Sequence, residues 1–260
     1  TPIPNPTSEN LSIMPTLLAP SRLNVIVDNL KKGNAAGRLF EMAPVYLPKS
    51  LPLTERPHEA QTLCMGVFGP GEDFFTVKGA MEALAASLGL AFTYERETET
   101  AWLHPGIAAS VWCKGKRLGV FGKLSNEINA ELKIAKDEKE NQNIYLAELG
   151  YEALSACVEG ELHYQPISPY APVKRDLALV CDEAVTCGAI EDAIRSASPL
   201  VTGVELFDVY RGKNLGEGKK SMAFSLVLAD PKAELAPDQV DRAIKKILGN
   251  LKYKLNIEIR

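Results

Sequence analysis

The fold of the C-terminal part is decided by Tyr170-Ala171-Pro172-Val173-Lys174-Arg175-Asp176-Leu177-Ala178-Leu179-Val180 and by two later segments. These are Val204-Glu205-Leu206-Phe207-Asp208-Val209-Tyr210-Arg211-Gly212 and Gly216-Glu217-Gly218-Lys219-Lys220-Ser221-Met222-Ala223-Phe224-Ser225-Leu226. Apolar and polar residues alternate along parts of all three, as they do on half-buried β-strands. Amphipathic helical patterns follow the first and the last segment. Residues 161–260 are therefore predicted to form a βαββαβ domain.

The predicted strands of this domain are Asp176–Cys181, Val201–Tyr210, Lys220–Ala229 and Lys254–Ile259. One helix is predicted from Cys187 to Ser198, with Thr186 as its N-cap, and the other begins at Pro237, a residue favoured in the first helical turn. Each helix carries a single apolar stripe. Both helices are therefore expected on the same side of the sheet, which leaves its other side open.

The open side is predicted to bind a single-stranded RNA loop. On the second strand, Val204 and Leu206 match the core side, so Glu205, Phe207 and Val209 are expected to point outward. Phe207 is a candidate for stacking a splayed base, and the alternative is packing against the other domain or a partner chain. Aromatic residues and rim cations are expected to frame one edge, where the cations would position phosphates. The predicted RNA-binding residues are Tyr170, Lys174, Arg175, Phe207, Tyr210, Arg211, Lys213, Lys219 and Lys220.

The charge is modest and uneven along the 260 residues. The net charge is −4, and the composition is 46% apolar and 24% charged, which is ordinary for a globular protein. Residues 163–260 hold 14 Lys and Arg against 13 Asp and Glu, and residues 1–162 hold the other 15 against 20. RNA affinity must therefore come from local clusters of cations and not from global charge.

The sequence favours a cytoplasmic location. The N-terminus, Thr1-Pro2-Ile3-Pro4-Asn5-Pro6, has no basic start and no apolar run, and it lacks an initiator Met, which suggests an excised fragment. No segment has the length of a membrane span. Five scattered cysteines include no C-x-x-C pair, which argues against a disulfide framework and a zinc site. No metal, membrane or DNA is expected as a partner.

Residues 1–160 are predicted to form a separate domain with an antiparallel or mixed sheet and flanking helices. A helix is expected at Ser21–Lys32, with Ser21 as its N-cap, followed by a strand at Arg38–Leu47. His104-Pro105-Gly106 is expected to be a turn, and Glu97-Thr98-Glu99 a solvated loop. No nucleophile–base or metal-ligand spacing stands out, so catalytic residues are expected to be absent from this chain.

Both domains resemble the phenylalanyl-tRNA synthetase beta-subunit family of bacteria. The βαββαβ segments are similar to its ferredoxin-fold anticodon-binding domain. In residues 1–160 the resemblance rests on Asn5-Pro6 followed by Ser12-Ile13-Met14, then Gly33-Asn34, Arg38-Leu39-Phe40-Glu41, Asp73-Phe74-Phe75-Thr76-Val77-Lys78-Gly79, His104-Pro105-Gly106 and Leu118-Gly119-Val120-Phe121-Gly122-Lys123-Leu124. These match the family's catalytic-like module, an inactive copy of the class II synthetase fold. Pro15 departs from the pattern, since family members commonly carry a basic residue there.

The resemblance implies an α+β protein with a class II synthetase-like domain followed by a ferredoxin-like one. It implies binding of the anticodon stem-loop of phenylalanine tRNA and assembly with the catalytic alpha subunit, partly through the helix Ser21–Lys32. The complete enzyme would use ATP and magnesium. No cofactor is expected for this chain alone. Arg38 and Glu41 occupy the position of the second class II motif, but no late Gly-rich segment ending in Asp-Arg follows.

Two other interpretations stay open. Ferredoxin-like folds also serve as regulatory modules that bind amino acids between protomers, usually at a Gly-rich turn after the first strand. Here that turn is Asp182-Glu183-Ala184-Val185, which is acidic and lacks glycine, and this argues against such a module. An independent enzyme is disfavoured because no catalytic constellation is present.

Overall fold

The computed structural model describes Asn5 and residues 13–132, 142–158 and 168–259. The chain divides into two compact units, residues 1–162 and residues 163–260, and each is described by itself. The predicted domain boundary between residues 160 and 161 lies outside the described residues.

The first unit contains four helices and six strands among its described residues. The helices are α1 (Ala19–Lys31), α2 (Phe74–Ser87), α3 (Asn126–Glu131) and α4 (Tyr151–Ser155). The strands are β1 (Gly37–Leu47), β2 (His58–Phe68), β3 (Thr93–Arg96), β4 (Leu103–Cys113), β5 (Lys116–Leu124) and β6 (Ile144–Gly150). They form one sheet in the order β1-β2-β6-β5-β4-β3. Each of these pairings is antiparallel, which decides between the two arrangements that the sequence left open.

Apolar side chains cover both sides of this sheet. On one side, Val77 and Met81 of α2 and Leu154 of α4 pack with Phe121 and Ala147 of the central strands. On the other side, Ala19 and Ile26 of α1 pack with Ile128 of α3 and with four strand residues. These are Phe68, Leu124, Ile144 and Leu146. Two-sided cover explains why the central strands are apolar on both faces.

Helix α1 begins earlier than the sequence predicts. Pro20 lies in its first turn, where a missing N–H costs nothing, and Ser21 is not the N-cap. The carboxylate of Glu148 on β6 takes the capping role instead, because its Oε2 accepts the N–H groups of Leu18 at 3.1 Å and Ala19 at 2.9 Å. The helix ends at Lys31, one residue before the predicted end, and Gly33 follows with a φ of 88°.

The turn predicted at His104-Pro105-Gly106 is wrong. These residues lie inside β4, where the register to β5 shifts between Leu103 and Ala108. Nδ1 of His104 accepts the N–H of Gly106 at 3.1 Å, so the irregularity is stabilised locally. A bulge of this kind is a place where a sheet tolerates proline, and a bulge and a turn share the same residue types.

The second unit has the predicted βαββαβ order. Its elements are β7 (Val173–Asp182), α5 (Cys187–Ala197), β8 (Val201–Tyr210), β9 (Lys219–Leu228), α6 (Pro237–Leu255) and β10 (Glu258–Ile259). A short 3-10 turn, Lys213–Leu215, lies between β8 and β9. The strands form an antiparallel sheet in the order β10-β7-β9-β8. The α+β fold class and the ferredoxin-like second domain are therefore confirmed.

The last strand is shorter than predicted. Helix α6 continues to Leu255 and ends at Asn256, whose φ of 51° is left-handed. Of the residues described after the helix, Glu258 and Ile259 pair with β7. The predicted strand Lys254–Ile259 therefore assigned the last helical turn to the sheet, because Leu255 and Ile257 fit either period.

Candidate nucleic-acid interface

One side of the four-stranded sheet is covered by α5 and α6 and forms the core of the second unit. Leu179 of β7 and Phe224 of β9 are fully buried there against Ile190 of α5 and Ile247 of α6. The residues that alternate with them, such as Ala178 and Ala223, belong to no buried cluster among the described residues and are only partly buried. Among the described residues of this unit, no helix lies on the opposite side of the sheet, here called the open face.

A bulge in β8 changes the predicted direction of its last residues. Leu206 pairs with Phe224, but the next paired residue is Asp208, opposite Ala223. Phe207 is the extra residue, and its side chain is 57% exposed. Beyond the bulge the alternation is shifted by one position, so Val209 pairs with the core residue Met222 and not with an open-face residue. By register Val209 therefore lies on the helix side of the sheet and not on the predicted outer side, although it is 38% exposed at the strand end, whereas Glu205, opposite Ser225, faces outward as predicted.

The same bulge places Asp208 and Tyr210 on the open face. Tyr210 pairs with Ser221, and Asp208 with Ala223, both of which alternate with core residues of β9. The ring of Tyr210 is 40% exposed, and its hydroxyl lies 3.1 Å from Oδ1 of Asn214 in the following turn. Tyr210 thus becomes the aromatic residue best placed to stack a base on this face. Sequence alternation alone could not reveal this, since the extra residue leaves no mark in the pattern.

Apart from Phe207, which lies near the middle, the predicted RNA-binding residues lie at two ends of the sheet and do not frame one edge. Lys174 pairs with Val227 at the start of β7, whereas Asp182 pairs with Lys219 at its end. Eight residues separate these positions, which is about 26 Å along a strand. Tyr170, Lys174 and Arg175 therefore belong to the end opposite Tyr210, Arg211, Lys219 and Lys220. The antiparallel register causes this separation.

At the end that holds Tyr170, Lys174 and Arg175, not all three residues lie on the open face. Lys174 is exposed and pairs with Val227, an open-face position. Arg175 is exposed but pairs with Leu226, a core position, so it lies on the helix side of the sheet edge. Tyr170, 39% exposed, lies in the loop before β7. Lys174 is the cation of this end that the register places on the open face.

At the other end, two of the predicted cations are held by Glu183. Arg211 donates from Nε and Nη2 to the Glu183 carboxylate, the closest approach being 2.7 Å. This pairing lowers the pKa of the exposed Glu183 carboxyl, chiefly through the side-chain hydrogen bond, and raises that of Arg211. Lys220 is 8% exposed, and its Nζ donates to the Glu183 carbonyl oxygen at 2.9 Å.

The two adjacent lysines therefore have different environments. Lys220 pairs with Cys181, so its side chain starts on the core side, and the prediction that it contacts RNA phosphate conflicts with its burial. Lys219 is exposed on the open face opposite Asp182. The side chain of Lys213 lies outside the described residues, although its backbone belongs to the 3-10 turn. For every residue placed here, the role in RNA binding remains a prediction.

The open face is mixed in charge and not uniformly cationic. Its register positions include Lys174 and Lys219 and also four carboxylates, Asp176, Asp182, Glu205 and Asp208. Carboxylates repel phosphate, but they accept hydrogen bonds from the amino and imino groups of bases. The arrangement suits contact with base edges between two cationic ends better than it suits a continuous phosphate track.

Three of the five arginines in the first unit, Arg22, Arg38 and Arg117, form ion pairs with carboxylates. Nε of Arg38 donates to Glu72 at 2.9 Å, and Nη2 of Arg22 donates to Glu41 at 2.5 Å. Arg117 donates to Glu97 at 2.6 Å. These three guanidinium groups are thus matched to carboxylates, whereas a triphosphate requires cations with spare charge. Among the described residues, no group of three His, Cys, Asp or Glu side chains is placed to hold a metal ion.

Glu97 differs from the solvated loop that the sequence predicts around it. Its side chain is 7% exposed and accepts the N–H groups of Glu99 at 2.8 Å and Thr100 at 3.1 Å. Burial works to raise the pKa of Glu97, but these donors together with Arg117 lower it overall. The segment is therefore an anchored turn with a structural ion pair. Throughout the described part of the chain, no helix is both long enough and apolar enough to cross a membrane.

Fold and site together define a two-domain α+β protein whose second domain is a ferredoxin-like module with an open sheet face suited to nucleic-acid bases. Two family models match the chain. The model described as the phenylalanyl tRNA synthetase beta chain CLM domain matches residues 1–150, and the ferredoxin-fold anticodon binding domain matches residues 168–260. The chain therefore belongs to the phenylalanyl-tRNA synthetase beta chain family, and the resemblance seen in the sequence is confirmed.

Curated relatives agree with this assignment. The chain is 34% identical to the phenylalanine–tRNA ligase beta subunit of Clostridium tetani, over 99% of this chain and 32% of that protein. It is 35% identical to the same subunit of Halalkalibacterium halodurans, over 98% of this chain and 32% of that protein. The chain thus spans about a third of the length of the curated relatives it matches. A pyrrolysyl tRNA synthetase structure from Desulfitobacterium hafniense overlaps with a TM-score of 0.41 and 14% identity, over 54% of this chain and 48% of that chain.

Proposed function

We propose that this chain is the tRNA-binding and assembly part of a phenylalanine–tRNA ligase beta subunit. Its second unit would bind the anticodon stem-loop of phenylalanine tRNA, and its first unit would contact the catalytic alpha subunit. The complete enzyme, with ATP and magnesium, would charge the tRNA with phenylalanine in the cytoplasm.

The observation that carries the RNA-binding proposal is the open face of the second unit. Tyr210 and the bulged Phe207 offer exposed aromatic rings beside open-face carboxylates. Base–aromatic stacking contributes about 1–3 kcal/mol per base in single-strand binding proteins. Carboxylates such as Asp208 and Asp176 add acceptors for base donors, and the cations at the two sheet ends supply phosphate contacts. A looped RNA strand matches these features better than duplex DNA does, because its bases are unstacked.

A titration with stem-loop RNAs tests this proposal. The chain should bind the phenylalanine anticodon stem-loop in a salt-dependent manner and bind stem-loops with other anticodons more weakly. Tyr210→Ala should weaken binding by about tenfold, from the loss of one stacked base. Tyr253→Ala is the matched control, because Tyr253 is 90% exposed but lies on α6, on the helix side. Equal binding of all stem-loops, or equal effects of the two variants, would contradict the proposal.

A second observation favours an assembly role for the first unit. Strand β1 is an edge of the six-stranded sheet. On it, Phe40 is 76% exposed and Met42 is 50% exposed, and both lie on the side opposite to Leu39, which packs with α1 residues. An apolar edge strand is a surface that proteins normally cover, since its free backbone groups invite pairing with another chain. The helix Ser21–Lys32 is also predicted to contribute to the interface. Arg22 of this helix forms an ion pair with Glu41 of β1, so the helix lies next to the strand.

Co-purification of this chain with the alpha subunit tests the assembly role. Phe40→Glu combined with Met42→Glu should reduce the recovered complex strongly, because two carboxylates would have to be desolvated in the interface. Tyr253→Glu supplies the control, since it changes an exposed aromatic residue of the other unit. Undiminished recovery with the double variant, after both proteins are shown to be folded, would exclude β1 from the interface.

The chain alone is proposed not to activate phenylalanine, since Arg38, at the position of the second class II motif, is matched to Glu72, as are Arg22 and Arg117 to their own carboxylates. Phenylalanine-dependent ATP–pyrophosphate exchange by the pure chain would contradict this. The alternative of an amino-acid-binding regulatory module predicts a ligand at the turn Asp182–Val185. That turn is held by Arg211 and Lys220 through Glu183, and the N–H of Glu183 donates to Gly218 at 2.8 Å, which disfavours a ligand there.

A further inference from the structure

A cavity in the first unit lies outside the surfaces assigned so far. Its volume is about 370 Å³, and its lining includes Leu17, Thr100, Trp102, Arg117, Val120 and Glu148. Cavities that bind small molecules commonly have volumes of about 300–1,000 Å³. It lies where the chain enters α1, next to the central strands β5 and β6. The size and position raise the question of which ligand its lining would accept.

Glu148 is the anionic residue of the lining. Its Oε2 accepts two backbone N–H groups, from Leu18 and Ala19. Among the described residues, neither a hydrogen bond nor an ion pair reaches Oε1, and Oε1 is not among the buried atoms that lack a partner. Oε1 is therefore accessible from the cavity that Glu148 lines. A carboxylate with one oxygen anchored and the other accessible is a preorganised acceptor.

The neighbouring cations are already neutralised. Arg117 also lines the cavity, but it donates to Glu97 at 2.6 Å, and Arg22, near the start of α1, donates to Glu41 at 2.5 Å. Within the described part of the chain, Glu148 has no cationic partner of its own. Each of these two cations is therefore matched by a carboxylate other than Glu148. Burial raises the pKa of Glu148, while the N–H groups of Ala19 and Leu18 act in the opposite direction.

The rest of the lining is largely apolar. Leu17, Leu118 and Val120 contribute aliphatic surface, and Trp102 contributes an indole. An indole face attracts organic cations, and aliphatic walls bind a hydrocarbon body. One accessible carboxylate within such walls matches a compound that has a charged amine at one end and an apolar body at the other. Anionic or strongly polar ligands would meet an uncompensated carboxylate.

We propose that this cavity binds a small primary ammonium compound with an apolar or aromatic body. The ammonium donates a hydrogen bond to Oε1 of Glu148, and the body lies against Leu17, Trp102 and Val120. The site is independent of the RNA-binding face, because every residue that lines it belongs to the first unit. The test of this site is therefore independent of the tests of the proposed function.

Ligand-observed NMR titration of the 260-residue chain tests the proposal with three compounds of similar body. Phenethylamine carries the ammonium, 2-phenylethanol is neutral, and 3-phenylpropionate carries a carboxylate. Phenethylamine should bind with a Kd on the order of 1 mM, as expected for a fragment of this size, and the other two at least about tenfold more weakly. Equal affinities for the three compounds, or no binding of phenethylamine at about 10 mM, would overturn the proposal.

Two variants locate the binding. Glu148→Gln keeps an oxygen for the N–H groups of α1 but removes the charge, and it should weaken phenethylamine binding about tenfold. Glu59→Gln, which changes an exposed carboxylate on β2, should have no effect. Leu17→Trp fills the cavity from its rim and should abolish binding even if Glu148→Gln proves unstable. Wild-type affinity in folded Leu17→Trp would place the ligand elsewhere and refute the assignment.

Discussion

The two adjacent lysines of β9 provide the sharpest test of the site geometry. Lys219→Ala removes an exposed open-face cation, and it should leave the free energy of unfolding within about 0.5 kcal/mol of wild type. If Lys219 contacts one phosphate, the plot of log K against log salt for stem-loop binding should become shallower by about 0.7. Lys220→Met keeps the buried methylene chain but deletes the hydrogen bond to the Glu183 carbonyl. It should cost about 1.5–3 kcal/mol of stability and leave the salt slope unchanged.

Urea denaturation and stem-loop titrations from low to high salt measure both quantities on the same proteins. The Lys219 variant should change RNA binding and not stability, and the Lys220 variant should change stability and not RNA binding. Equal changes in salt slope for the two variants would show that the ammonium of Lys220 reaches RNA, and the register-based assignment would fail. An unchanged urea midpoint for Lys220→Met would show that its buried hydrogen bond contributes nothing measurable.

Three further predictions concern stability. Phe224→Ala removes a fully buried ring from the core of the second unit and should cost about 3–5 kcal/mol in chemical denaturation. Gly119→Ala should destabilise the first unit severely, since its Cβ would lie 1.9 Å from the Glu148 carbonyl oxygen, whereas Gly79→Ala on α2 meets nothing within 4 Å and should stabilise by about 0.5–1 kcal/mol; thermal unfolding compares them. Glu183→Gln should destabilise slightly at neutral pH. The difference should begin to shrink below the ordinary glutamate pKa of about 4.3 and disappear once the folded carboxyl, whose pKa is lower, is protonated; urea midpoints measured from neutral to acidic pH check this.

Much of the second unit could be predicted because its local signals agree with one another. Thr186 caps α5 and Pro237 opens α6 as the sequence predicts, and β8 has the predicted bounds. Alternation along β7 and β9 identified the core side correctly, since a period of two places Leu179 and Phe224 on one face. In the first unit, capping of α3 by Ser125 was likewise predictable. These features depend on residues close together in sequence.

The candidate site could be predicted less well because it depends on pairing between distant residues. The β8 bulge redirects Asp208, Val209 and Tyr210, and only the partner strand β9 reveals it. The distance between Lys174 and Lys219 follows from antiparallel register, which residue spacing does not contain. The burial of Lys220 follows from its carbonyl partner, Glu183, located 37 residues earlier in the sequence. Adjacent cations in a sequence look equivalent until the strand's two faces are assigned.

The central claim is that the open face of the second unit, and not its helix side, contacts the RNA loop. Methyl NMR of alanine-labelled protein, titrated with the phenylalanine anticodon stem-loop, tests this most directly. The methyl groups of Ala178 and Ala223, paired with each other at the centre of the open face, should shift on binding. The methyl group of Ala189 on α5 should stay unchanged. A shift confined to Ala189, with Ala178 and Ala223 unaffected at saturation, would contradict the account.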